Sequence, residues 1–278
     1  MAALLALCSA ACYGSGDFFG GLASRTRPAR AVVVVSQVVG LLWLTTLAPF
    51  LGGNPTVADL LAGCAGGAIG GVALLIFYQA LATGTMSVVA PITAVISAAV
   101  PVAVGVLGGE RPGIQAGVGI MLALPAVWLL GGGGGAAASR QIDRSGLAAA
   151  VLAGVGFGLF FVAFSWVGKG AGAWPAAASR AASVLLQSLL LRKSRGSVKV
   201  ASGLHPLVIV GGLADSSANL LYLFAVQRGG LAEVSVLSSM YPAATVLLAA
   251  LWLKERLSTS QFGGVAIAVT AVVLIASG

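Results

Sequence analysis

Leu107-Gly108-Gly109-Glu110-Arg111-Pro112 returns 145 residues later as Trp252-Leu253-Lys254-Glu255-Arg256-Leu257, and the return of one Glu-Arg pair at the end of two apolar runs decides how the chain is read. Self-similarity at a fixed spacing marks a chain built from repeated structural units. At the same shift Gly84 falls on Gly229, Gly119 on Gly264 and Phe77 on Tyr222. Near the start of each half a shift of 144 sets Tyr13-Gly14 on Phe157-Gly158 and Cys12 on Gly156. The first repeat covers 1–131, a Gly-rich linker covers 132–145, and the second repeat covers 146–278. The linker region opens on five glycines beginning at Gly131 and closes on Arg140, Asp143 and Arg144, a composition that holds no fixed shape.

Working outward from the Glu-Arg pairs, the runs they close are apolar on every side. Only 8% of the 278 residues are charged, about a third of the share usual in soluble domains, while 59% are hydrophobic and 40 are glycine. Too little polar sequence remains to cover a water-facing surface, so the solvent around most of the chain is lipid. Each crossing of a hydrocarbon layer takes about 20 apolar residues. Windows of that length place ten transmembrane helices at 2–23, 31–51, 58–82, 86–108, 113–131, 146–168, 173–191, 204–226, 231–252 and 259–277. Membrane strands would alternate in polarity over segments of about ten residues, and these runs do not. The N-terminal run has no basic leader and stays apolar through Phe19, so it reads as a retained first span.

Each repeat therefore holds five spans, an odd number, and the second half enters the membrane with the opposite orientation from the first. The expected fold is an all-α integral membrane protein of two five-helix inverted-topology repeats. In secondary transporters this plan encloses a site near the midplane and exposes it to either side by alternating access.

The same residues resemble the EamA family of the drug/metabolite transporter superfamily over nearly the whole chain. The resemblance rests on Tyr78-Gln79-Ala80-Leu81 through Gly84 to Ala90-Pro91, on Gly109-Glu110-Arg111-Pro112 with its echo Leu253-Lys254-Glu255-Arg256-Leu257, and on Ser239-Met240-Tyr241-Pro242. It implies a multi-pass carrier of the bacterial inner membrane that exports amino acids, related small metabolites or drug-like cations. It also implies cytoplasmic termini. The loop charges point the other way: eleven Arg or Lys (25, 27, 30, 140, 144, 192, 193, 195, 199, 254, 256) follow the odd-numbered helices, against Arg111, Lys169 and Arg228 on the other side. The positive-inside rule then puts both termini outside.

Ionisable residues inside lipid-spanning runs mark the candidate site, because a charge at helix centre costs about 2.5–3.5 kcal/mol on insertion scales. Asp17, Arg180, Asp215 and Glu233 qualify. Asp17 lies among Gly14, Gly16, Gly20 and Gly21, where a neighbour or ligand can come close. Asp215 precedes Asn219 and Tyr222 by about one and two turns, on one helix face. These charges break the internal symmetry: Asp17 falls opposite Phe161, Asp215 opposite Gly70, Arg180 opposite Ser36 and Glu233 opposite Val88. Asp17, Arg180, Asp215, Asn219, Tyr78 and Tyr222 are the first candidates for a substrate or proton site, and Tyr13, Gln37, Gln79, Glu233 and Tyr241 the second. Burial favours the neutral form of a carboxylic acid, which suits proton coupling through Asp17 or Asp215. The plainer alternative is an ion pair of Arg180 with Asp17 or Asp215 that carries no substrate.

Pro91, Pro101 and Pro242, with Pro125, each remove a backbone donor and supply candidate gating kinks. Gly63, Gly67 and Gly71, like Gly154 and Gly158, repeat at the spacing that lets membrane helices approach closely. Glu110 and Glu255, each beside an Arg at a helix end, read as local caps or salt bridges that hold the connection to the next helix.

Several function classes fall away. The formal charge of +8 is scattered in short clusters without a basic stripe, so nucleic acid is not a partner. Cys8, Cys12 and Cys64 lie in apolar runs with no His or acidic residue completing a metal shell, so neither a metal site nor a disulfide framework is expected. The single His205, beside Pro206, forms no nucleophile-base pattern, so the chain reads as a non-enzyme without cofactors. The expected partners are a small-molecule substrate, protons and the lipid bilayer, and the chain is a monomer or homodimer. A channel, an uncoupled facilitator or a membrane scaffold is the competing reading.

Overall fold

The computed structural model describes residues 1–83, 86–130, 144–193, 200–252, 254 and 258–278. Among them no strand occurs. The helices are α1 (Ala2–Ser24), α2 (Ala29–Leu51), α3 (Val57–Thr83), α4 (Met86–Leu107), α5 (Ile114–Leu130), α6 (Arg144–Ser165), α7 (Trp174–Lys193), α8 (Pro206–Val226), α9 (Leu231–Ser238), α10 (Tyr241–Trp252) and α11 (Thr259–Ser277). With no water to satisfy backbone groups in lipid, continuous helices are what apolar runs of this length must form. Eight stretches are long and apolar enough to cross a membrane, α9 and α10 together counting as one, and α5 is a shorter apolar helix. The remaining long helix, α7, falls outside that set; Ser179, Arg180, Ser183 and Gln187 give it a buried polar face.

Most element bounds agree with the apolar runs to within a few residues. Arg144 and Ser145 open α6 rather than closing the linker, and 131–143, with Glu255 and Arg256, lie outside the described residues. The run 231–252 departs from its expected single helix and breaks at Ser239-Met240. Pro242 explains where the chain restarts: it lacks the N–H that would continue α9, and the second position of a new helix needs none. α8 likewise begins at Pro206, behind His205, whose Nδ1 accepts from the Leu207 N–H at 3.2 Å.

The helices touch in a pattern that survives exchange of the two halves. α1 packs on α8 as α6 packs on α3, α2 on α8 as α7 on α3, and α1 on α10 as α6 on α4, while α5 pairs with α11. The reciprocity holds to within a residue. A Cβ at Gly14 would collide with α10 around Tyr241 and Thr245, and a Cβ at Gly158 would collide with Val100 of α4, the counterpart of Thr245. Gly212 lies on Ser36, and Gly67 lies on Ser179. Tyr78 donates to the Gly16 carbonyl at 3.2 Å and Tyr222 to the Phe161 carbonyl at 3.1 Å.

Lipid tails are as apolar as leucine, so helices associate here through close packing and interhelical hydrogen bonds. Gly63, Gly67 and Gly71 lie under Pro175, Ser179 and Ser183 respectively, and any Cβ on them would strike α7. The Ser9 hydroxyl donates to Ala218 O at 2.9 Å and Thr93 to Ala150 O at 3.1 Å, tying α1 to α8 and α4 to α6. Such bonds contribute roughly 0.6 kcal/mol each.

One end of the bundle is closed by loop-to-loop contacts. Asp59 accepts from the Thr56 N–H at 2.8 Å, the Thr56 hydroxyl at 2.7 Å and the Gly168 N–H at 2.7 Å, so the α2–α3 connection holds the α6–α7 connection. Asn54 N–H donates to Gly170 O at 2.9 Å, and the Gln227 amide donates to Gly168 O at 2.9 Å. At the same end Glu110 reaches across the repeats. Its carboxylate accepts from Leu231 N–H at 2.6 Å and Ala232 N–H at 2.9 Å, which caps α9. The expected cap is therefore present, but it serves the other repeat and not the neighbouring connection. Glu255 lies outside the described residues.

Candidate functional site

A cavity sits near the middle of the long helices, ringed by α1, α2, α3, α4, α6, α7, α8 and the start of α10. Its enclosed volume is about 50 Å³, room for a few water-sized groups in this conformation. Helical spacing assembles the lining. Tyr13 and Asp17 come from one face of α1, Asp215 and Asn219 from one face of α8, and Ser179, Arg180 and Ser183 from the polar face of α7. Gln37 enters from α2, Ser97 from α4 and Tyr241 from the first position of α10. Opposite stand Phe157, Phe160 and Phe161 of α6, over a floor of Gly67, Gly70, Gly71 and Leu74 on α3.

The cavity is two-fold in shape and one-sided in chemistry. Repeat-related positions line it together: Tyr13 with Phe157, Asp17 with Phe161, Asp215 with Gly70. One half supplies charge and the other aromatic or bare surface. Phe160 and Phe161 pack on each other and on Tyr222, with Phe161 stacked on Tyr222 at 4.3 Å between ring centres, while Phe157 meets Phe77 edge-on at 5.8 Å. This wall is fixed and apolar.

The polar half is built around Arg180, which is 4% exposed. Its Nη2 lies 2.7 Å from Asp215 Oδ2, and its Nη1 donates to Gln37 Oε1 at 2.6 Å. The Tyr13 hydroxyl donates to Asn219 Oδ1 at 2.6 Å, linking α1 to α8 beside the ion pair. Asp17 lines the same cavity and makes no hydrogen bond or ion pair among the described residues. Tyr241 is buried, near the Ser97 hydroxyl, and its own hydroxyl has no hydrogen-bond partner among the described residues. Two carboxylates thus face one guanidinium. With all three ionised, the cavity holds one negative charge in excess, a state that a buried site tolerates only with a further positive charge nearby.

The structure brings together Asp17, Arg180, Asp215, Asn219, Tyr13, Gln37 and Tyr241. Tyr78 and Tyr222 lie outside the lining, their hydroxyls committed to the carbonyls of Gly16 and Phe161, and Tyr222 also shares a hydrogen bond with Ser235 at 2.8 Å. Gln79 is half-buried on α3 and Glu233 is half-buried in the first turn of α9, neither of them at the cavity. Pro91 and Pro101 lie inside an unbroken α4, whereas Pro242 directly follows the α9–α10 break. Sequence reasoning passed over Ser97, Ser179, Ser183 and the phenylalanine wall. A signal existed for two of these groups: Ser179, Ser183 and Gln187 recur every four residues in α7, and Phe157, Phe160 and Phe161 share a helix face.

The pattern of the EamA-like transporter family matches residues 1–132 and again 144–277. A solved crystal structure of a protein superposes on the chain with a TM-score of 0.72 at 18% identity, covering 97% of this chain and 98% of that one, a likeness of fold. No curated protein matches the chain.

Proposed function

The chain belongs to the EamA-like transporter family, and from that premise we propose that it is a secondary transporter of small metabolites: ten transmembrane helices in two inverted repeats that expose the central cavity to each side in turn. The observation that carries this reading is the mid-helix cavity that gathers Asp17, Arg180 and Asp215. Charges this costly to bury persist in membranes where they meet ions or substrate. Reciprocal packing of the two halves supports the inverted repeat, because elements related by exchange can trade conformations as the cavity changes side. The break between α9 and α10, beside Tyr241, provides a joint at the cavity wall.

The cargo is an amino acid, a related metabolite or an amine of comparable size, and the direction is export from a bacterial cell. The excess negative charge assigns Asp17 or Asp215 the coupling role, since a proton or a cationic substrate group offsets the same charge. Uptake and efflux of labelled amino acids, nucleobases and cationic dyes in proteoliposomes, with and without a pH gradient, tests the reading. Saturable movement driven by the gradient and lost on replacing both Asp17 and Asp215 by Asn is expected. Gradient-driven transport that survives the double replacement removes those carboxylates from the mechanism, and flux that never saturates contradicts a carrier.

A further inference from the structure

Arg180 carries an unfilled edge. Among the described residues its Nη1 has a directed partner in Gln37, but Nε and Nη2 have no hydrogen-bond acceptor, although the side chain is 96% buried. Asp215 Oδ2 stands 2.7 Å from Nη2, close enough for charge attraction, yet off the N–H directions. Nε and Nη2 form one side of the planar guanidinium, the fork that receives both oxygens of a carboxylate in parallel. A buried, charged donor pair left open is expensive unless something fills it. Gln37 fixes the plane of the group from α2, so the fork is presented in a defined direction. Tyr241 supplies a second buried donor without an acceptor on the same cavity.

We infer that the Nε–Nη2 edge of Arg180 is the seat for a carboxylate group of the transported molecule, and that Asp215 is the resident counter-ion which the substrate carboxylate displaces. This rests on the carrier reading above and narrows its cargo to carboxylate-bearing molecules whose body packs against Phe157, Phe160 and Phe161. The seat also fixes how charge must move. A substrate carboxylate beside Asp17 and Asp215 sets three carboxylates against one guanidinium, so positive charge enters with it, as a substrate ammonium near Asp17 or as a proton shared by the carboxylates. The charged and titratable groups around Asp215 are Arg180 from α7, Tyr13 and Asp17 from α1 and Tyr78 from α3. For a carboxylate that brings no ammonium of its own, binding therefore strengthens as pH falls.

The test uses the full chain in lipid nanodiscs and two matched pairs of probes, 3-phenylpropionate with 3-phenylpropanamide and L-phenylalanine with its amide, measured by calorimetry from pH 5.5 to 8. In the unmodified chain each carboxylate binds at least about tenfold more tightly than its amide, the difference expected when a charged donor pair loses its acceptor. Arg180→Lys keeps the charge and loses the fork, so the preference collapses. Asp215→Asn removes the resident competitor, so carboxylate affinity rises several-fold and its pH dependence flattens. That gain cannot come from a damaged fold. Equal affinity within both pairs, a preference that survives Arg180→Lys, or carboxylate binding that weakens in Asp215→Asn overturns the seat. If carboxylates do not bind while amines or amides are transported saturably, the seat falls and the carrier stands. If saturable flux is absent for every class, the carrier reading fails as well.

Discussion

Replacing Glu110 by Ala removes one of the contacts that join the two repeats at the closed end of the bundle. The carboxylate takes the first two N–H groups of α9, at 2.6 and 2.9 Å, and sits between Gly105 and Gly230, where a Cβ at Gly105 would collide with it. α9 is only eight residues long, so a large share of its backbone donors depends on this cap. Two hydrogen bonds to a charged acceptor are worth about 1.5–3 kcal/mol each, but the site is half-buried and water replaces part of the loss. A net cost of about 2 kcal/mol for local opening follows, in line with the upper range for helix N-caps. Amide hydrogen exchange measured by mass spectrometry on a peptide covering 229–238 should then speed up about thirtyfold, since 1.4 kcal/mol is a factor of ten. Glu110→Gln keeps one acceptor and should give about fivefold. Exchange in that peptide that is unchanged by Glu110→Ala would refute the capping account, because the two N–H groups would have other protection.

Gly67→Leu places a side chain against the Ser179 backbone, where even a Cβ collides; it should cost more than about 3 kcal/mol and leave little folded protein by fluorescence-detected gel filtration, whereas normal yield would contradict the close α3–α7 contact. Tyr78→Phe loses one interhelical hydrogen bond and Tyr222→Phe two, so stability should fall by about 0.6 and about 1.2 kcal/mol respectively, with substrate KM unchanged; Tyr241→Phe, which does line the cavity, should shift KM. A reporter fused after Gly278 should be active only outside the cytoplasm, as the eleven cationic loop residues on the opposite side require, and cytoplasmic activity overturns that orientation.

The helices were legible because runs of about 20 apolar residues have one stable backbone in lipid, and their punctuation by Gly, Pro and charge is local. The break at Ser239-Met240 was not, since a proline within an apolar run is compatible with a bend, a continuous helix or a restart. α4 keeps its helix through Pro91 and Pro101, while the ninth run does not at Pro242, and tertiary packing decides between them. In the site, the mid-helix charges were readable from cost alone. Their pairing was not: the sequence offers Arg180 both Asp17 and Asp215, and in the fold it is Asp215 of α8 that stands 2.7 Å from the guanidinium. Tyr78 and Tyr222 mislead for an instructive reason. Symmetry between halves does mark them, but as matching struts between helices, and the symmetric bonds leave their hydroxyls nothing to offer a ligand. Glu110 shows the limit of local reading, since its partner lies 121 residues away in the other repeat.

Counterflow in proteoliposomes tests the central claim most directly. Vesicles loaded with excess unlabelled substrate take up a labelled trace of the same molecule from outside. A carrier whose cavity faces one side at a time returns loaded faster than empty, so the trace should enter faster than into unloaded vesicles and accumulate transiently above its equilibrium level. Entry at the same rate into loaded and empty vesicles, with no overshoot, would contradict alternating access and leave an open pathway in its place.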